Sequence, residues 1–198
     1  FSGVAMVITL TVPIRKVFGL EAYLTTKHYD AMAKLCLLTS MIVFYAYLSE
    51  FFMAWYSGEE VERAAFWARL FGHYWWATWI MLVCNGLVPI MLWFKRVRYS
   101  IPALFTISIF VNIGMWFERY VIIVTSLHHE YEPFAWGVYR PSTVEMGIMV
   151  GSFAWFGFWF LLFTRLIPVV AIAELKEVIP TPMRGAAPAH AGGEGGEG

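Results

Sequence analysis

"IPALFTISIFVNIGMWFERYVIIVTSL", residues 101–127, holds only two charges, the adjacent Glu118 and Arg119. A helix of this length rises about 40 Å, more than the ~30 Å hydrocarbon core of a bilayer. The stretch therefore reads as a transmembrane helix. A charge inside such a helix costs at least about 2.5–3.5 kcal/mol, so the pair needs a reason to be there.

The rest of the chain is of the same kind. It is 60% hydrophobic, with a mean hydropathy of +0.63, and only 14% charged, far from a soluble composition. Ten Trp and ten Tyr suit the boundary between lipid tails and headgroups. Four further apolar segments lie near residues 1–18, 30–56, 64–95 and 143–174. The first is too short to cross a bilayer, and we expect a truncated helix belonging to a longer membrane protein. The expected fold is all-α: a polytopic transmembrane bundle of four full helices and one partial N-terminal helix, over residues 1–180. A disordered Gly/Ala-rich tail, residues 181–198, is expected to follow.

Several classes fall away. Zero net charge gives no electrostatic case for nucleic acid. Cys36 and Cys84 stand alone in apolar runs, without the paired spacing of zinc, iron–sulfur or c-type haem motifs. No nucleotide-binding loop or hydrolase triad is visible. His73 and the adjacent His128 and His129 do not make a facing pair of membrane-buried histidines, so haem is not expected.

Loop charges set an expected orientation. Arg15, Lys16, Lys27, Lys34, Lys95, Arg96, Arg98, Arg165, Lys176 and Arg184 fall on one side. Arg63, Arg69 and Arg140 fall on the other, beside Glu59, Glu60, Glu62, Glu130 and Glu132. The positive-inside rule then puts the C-terminus in the cytoplasm. On this scheme Glu50, His73, Glu118, Arg119 and Glu145 crowd the outer half of the bilayer, Glu118 and Arg119 roughly 10–14 Å from the helix end.

Such a layer reads as a proton or quinone path, or as ion pairs that fix helix register. Helical spacing puts Ser108, Asn112 and Arg119 on one face, whereas Glu118 points about 100° away, toward Gly114 and Thr125. Glu118 is the better proton carrier, and Arg119, with Ser108 and Asn112, the structural member. His73 and Tyr74 open a ring-rich run, "HYWWATW", suited to a quinone carbonyl or a proton relay. Glu145 near a helix start also suits the helix dipole. The "GIMVG" of residues 147–151 suits close helix packing, and Asn85 with Pro89 suggests a kink.

"EFFMAWYSG", "FGHYWWATWIMLVCN", the opening stretch and "WGVYRPSTVEMG" stand in one order over about residues 1–180. Together they resemble the second half of NrfD/PsrC-type membrane subunits, most strongly ActC of bacterial alternative complex III. The resemblance implies a quinol-oxidising subunit of the bacterial inner membrane, working on menaquinone or another quinone. It would bind no haem or iron–sulfur cluster itself. Electrons would pass to an iron–sulfur subunit and c-type cytochrome subunits on the outer side, among other membrane subunits and lipid, with protons released outside. In such subunits the primary quinol ligands belong to the first half, so none is assigned to this chain, which alone is expected to be inactive. A proton or solute transporter, or a purely structural anchor for a redox complex, are the rival readings.

Overall fold

The computed structural model describes residues 1–128 and 139–167, and these contain helices and no strand. They belong to two compact units, residues 1–140 and 141–198. His129, Glu130, Glu132, Lys176, Arg184 and the tail lie outside the described residues.

The first unit starts with α1, Ser2–Val17, which ends in Arg15 and Lys16, cations that suit a helix C-terminus. Gly19, at φ 62°, makes the turn that a side chain would resist. Arg15 Nε then donates to the Leu24 carbonyl at 2.9 Å, tying the loop back. Next comes α2, Thr26–Tyr56, thirty-one residues and about 46 Å long. At its far end Gly58, at φ 71°, turns the chain into α3, Glu60–Phe71.

The segment expected near residues 64–95 is not one continuous helix. It breaks at Gly72–Tyr74, and the crossing is α4, Trp75–Trp93. Two causes are visible. Glu60, Glu62, Arg63 and Arg69 make α3 too polar to enter hydrocarbon. Gly72 turns so sharply that a Cβ there would strike the Ala68 carbonyl, whose oxygen accepts the Gly72 N–H at 2.8 Å. Surface pairs hold α3 against the end of α2: Arg69 to Glu50 at 3.3 Å, and Arg63 over the Trp55 ring at 4.9 Å.

A short turn, α5, Lys95–Arg98, leads to α6, Ile101–His128. Small and branched residues close the core: Ala5 and Ile8 of α1, Ala33 and Cys36 of α2, Leu104 and Val111 of α6. Close approach of small residues is how helices associate where lipid is as apolar as they are. Ser108 and Asn112 face α1, where Thr9 donates to Ser108 Oγ at 2.9 Å and accepts from Asn112 Nδ2 at 3.0 Å.

A staple closes the basic end. Asp30 is 7% exposed and accepts from Arg98 Nε at 2.8 Å and from Lys34 at 2.6 Å. Arg98 also donates to the Leu92 and Trp93 carbonyls, the last of α4, at 3.0 and 3.1 Å. One guanidinium thus caps α4 and binds it to α2.

The second unit contributes α7, Thr143–Leu166, an apolar helix with Arg165 in its last turn. Its N-terminus carries a reciprocal capping box. Ser142 Oγ accepts the Glu145 N–H at 3.3 Å, and the Glu145 carboxylate accepts the Ser142 N–H at 2.7 Å. Among the described residues, four helices are long and apolar enough to cross a membrane: α2, α4, α6 and α7.

Candidate functional site: a carboxylate held between three helices

The site grows from an irregularity in α4. Pro89 has no N–H, so the Asn85 carbonyl, four residues earlier, loses its helical partner. The chain widens there into a π-turn, Val83–Leu87. Such turns inside α-helices often mark functional positions. The freed carbonyl is taken by α2, where Ser40 Oγ donates to it at 3.0 Å. Asn85 is fully buried and projects its amide toward α6.

Glu118 meets that amide. Tyr47 of α2 donates its O–H to Glu118 Oε2 at 2.6 Å, and Asn85 Nδ2 donates to the same oxygen at 3.3 Å. The second Asn85 N–H reaches the Tyr47 oxygen at 3.1 Å. The three side chains close a triangle between α2, α4 and α6. Glu118 lies ten residues from the end of α6, about 15 Å, within the stretch long and apolar enough to cross a membrane. Gly114, one turn before Glu118 on the same face, lets Asn85 come this close, since a Cβ there would collide with Asn85 Oδ1.

Two buried acceptors beside this triangle have no partner among the described residues: Asn85 Oδ1 and Thr78 Oγ1. Thr78 stands two turns from Asn85 on the same face of α4. Buried polar atoms of this kind are where proteins hold ordered water.

The layer expected from sequence is only partly gathered here. Glu118 enters the cluster. Ser108 and Asn112 meet α1, whereas Arg119, two turns beyond Asn112, is exposed, with no ion-pair partner among the described residues. Glu50 is half exposed and bonded to Arg69 at the α2–α3 end. His73 is exposed in the break before α4, with Tyr74 edge-on at 5.5 Å. Tyr74 is buried, and its hydroxyl accepts the Tyr139 N–H at 2.8 Å. Glu145 serves the capping box of α7. The side chain of His128 lies outside the described residues.

Tyr47, Ser40 and Asp30 were missed by sequence reasoning, and Asn85 was seen only as part of a kink. The usable signal was the spacing of Asn85 and Pro89, which predicts an orphaned carbonyl beside a buried amide. For Tyr47 no signal separates one aromatic among many. Neither the cavity at the α2–α3 end nor the one between α2 and α4 has Glu118 in its lining.

No protein of curated function matches the chain. The family model described as "Polysulphide reductase, NrfD" matches residues 1–129, a stretch that includes all of α2, α4 and α6 and thus every member of the triangle. By that match the chain belongs to the NrfD family of membrane proteins.

Proposed function

We propose that this chain is part of a quinone-interacting membrane subunit of a bacterial respiratory complex, akin to the ActC subunit of alternative complex III, and that Glu118 handles its protons. The observation that carries this is the half-buried Glu118 carboxylate, held by Tyr47 and Asn85 between three helices of membrane-spanning length. Ionisable residues within such helices are rare and typically serve ion or proton pathways. Membership in the NrfD family supports the redox setting. The electron partners would be an iron–sulfur subunit and c-type cytochrome subunits on the outer side.

A quinol, when bound, supplies two electrons and two protons. Glu118, with Oε2 already held by Tyr47 and Asn85, would serve the proton's route rather than the quinol ring. Tyr47 and Asn85 orient the carboxylate. The orphan acceptors Asn85 Oδ1 and Thr78 Oγ1 mark where water could continue the route toward the Trp75 end of α4. Loop charges favour that end as the outer one. His73 and Tyr74 lie there and would be the late members of the route.

The test is Glu118→Gln in the full-length subunit within its complex. Quinol:acceptor turnover should fall roughly 100-fold, as when a positioned acid–base group is lost, with subunit content unchanged. Unaltered turnover in an intact complex would remove Glu118 from the proton route.

A further inference from the structure

The proton site leaves one built feature unused. A groove of about 400 Å3 runs between α2 and α4, lined by Leu37, Met41, Phe44 and Leu48 on one side and Ile90 and Trp93 on the other. Asp30 meets Arg98 while Tyr47 meets Asn85, so the two helices are antiparallel. Leu37 and Trp93 therefore mark the same end of the groove.

That end is basic. Lys34 precedes Leu37 by three residues on the same stripe of α2, and Lys27 precedes Lys34 by seven. Lys95 and Arg96 follow Trp93 after one residue, Phe94. Lys27, Lys95 and Arg96 are exposed, and the Lys34 side chain is 59% exposed. The acid on this stripe, Asp30, is already taken up by Arg98 and Lys34. The α2 surface thus changes from cationic to apolar along its length, with the slot beginning where the cations stop.

We infer that this groove holds one acyl chain of an anionic phospholipid, its phosphate over Lys34, Lys95 and Arg96. Charge complementarity selects the occupant. Basic residues at the mouth of a slot between transmembrane helices suit an anionic headgroup. A neutral apolar helix would offer those exposed cations no counter-charge, whereas a phosphate does. The site is independent of the proton chemistry, and its test does not read turnover.

The full-length protein in mild detergent is titrated with phosphatidylglycerol and, separately, phosphatidylcholine, following Tm. Phosphatidylglycerol should raise Tm and phosphatidylcholine should not. Lys95→Gln with Arg96→Gln should raise the phosphatidylglycerol concentration needed by roughly thirtyfold, the loss of two headgroup contacts of about 1 kcal/mol each. Met41→Trp, which fills the slot, should abolish the effect. Should that variant fail to fold, the Lys95/Arg96 pair, being on the surface, still decides. Equal Tm rises for the two lipids, or an unchanged midpoint in the double variant, would overturn the site. Displacement of phosphatidylglycerol by a short-chain quinone would assign the slot to quinone instead.

Discussion

Gly114→Ala tests whether α4 and α6 are locked together at Asn85. A Cβ on Gly114 would run into Asn85 Oδ1 and lie 2.6 Å from Cys84 Cβ. The Cys84 atom is fixed to its backbone and cannot swing aside. Asn85 is fully buried and tethered by hydrogen bonds to Tyr47 and Glu118. Either the helices part or the amide gives up its partners. Overpacking of a close contact costs about 1–3 kcal/mol. Losing a hydrogen bond to a charged group costs about 1.5–3 kcal/mol. Whichever route is cheaper, the loss is about 2 kcal/mol, a shift of roughly thirtyfold in the unfolding equilibrium. Unfolding of the full-length protein in detergent, followed by tryptophan fluorescence, reads this directly. Gly3→Ala is the control, because a Cβ there meets nothing within 4 Å. A Gly114→Ala protein as stable as the control would mean that α4 and α6 are not in contact at this point.

Other outcomes follow from the same contacts. Ser40→Ala should cost about 0.5–1.5 kcal/mol, but close to nothing in a Pro89→Ala background, where residue 89 regains an N–H for the Asn85 carbonyl. A double-mutant cycle in thermal stability checks this, and simple additivity would refute the π-turn account. Arg98→Met should destabilise by about 1.5–3 kcal/mol, since it takes the guanidinium from the Leu92 and Trp93 carbonyls and from Asp30, which keeps Lys34, whereas the exposed Lys34→Met should cost under about 1 kcal/mol. Equal Tm losses would show that Arg98 is no staple. Arg119→Leu should leave the stability of this chain within about 0.5 kcal/mol, as for other exposed positions, and a Tm drop of the Gly114→Ala size would place Arg119 inside.

The spans were legible because hydrocarbon imposes a length and a composition that few residues violate. The break at Gly72 was not read, although α3 announces it. Charges at Glu60, Glu62, Arg63 and Arg69 recur within a window that hydropathy averages together with the apolar residues after it. Depth likewise gathered Glu50, His73, Glu118 and Arg119, but depth is one coordinate and packing needs two. The second is the rotation of each helix about its axis, set by contacts such as Thr9 with Asn112 and Gly114 with Asn85, which no single helix encodes. Helical spacing did separate Glu118 from Arg119. It could not say how far along each face the cover runs: α1 covers Ser108 and Asn112, but Arg119, two turns further along, is exposed. Glu145 was read as a member of the polar layer and as an acid suited to a helix start; the Ser142-x-x-Glu145 capping box that it forms was in the sequence and was missed.

The orientation of the Asn85 amide bears on how the triangle works. Both of its N–H groups are engaged, by Tyr47 and Glu118, while Oδ1 has no partner among the described residues. Tyr47 also donates to Glu118, so every hydrogen bond at Oε2 points toward the carboxylate. This is the pattern of an anion, which can only accept. Once Glu118 carries a proton it becomes a donor, and the group left wanting one is Asn85 Oδ1. Turning the amide over presents Oδ1 to the new O–H and needs space on the side where Oδ1 now lies, the side that Gly114 leaves open. The amide should therefore follow the proton. In infrared spectra of the full-length protein, the Asn85 carbonyl band, identified by isotope labelling, should shift in Glu118→Gln, because the new amide, like a protonated carboxyl, brings a donor to Asn85 Oδ1. A band that stays where it is would separate Asn85 from the proton and leave it only the task of holding α4 to α2 and α6.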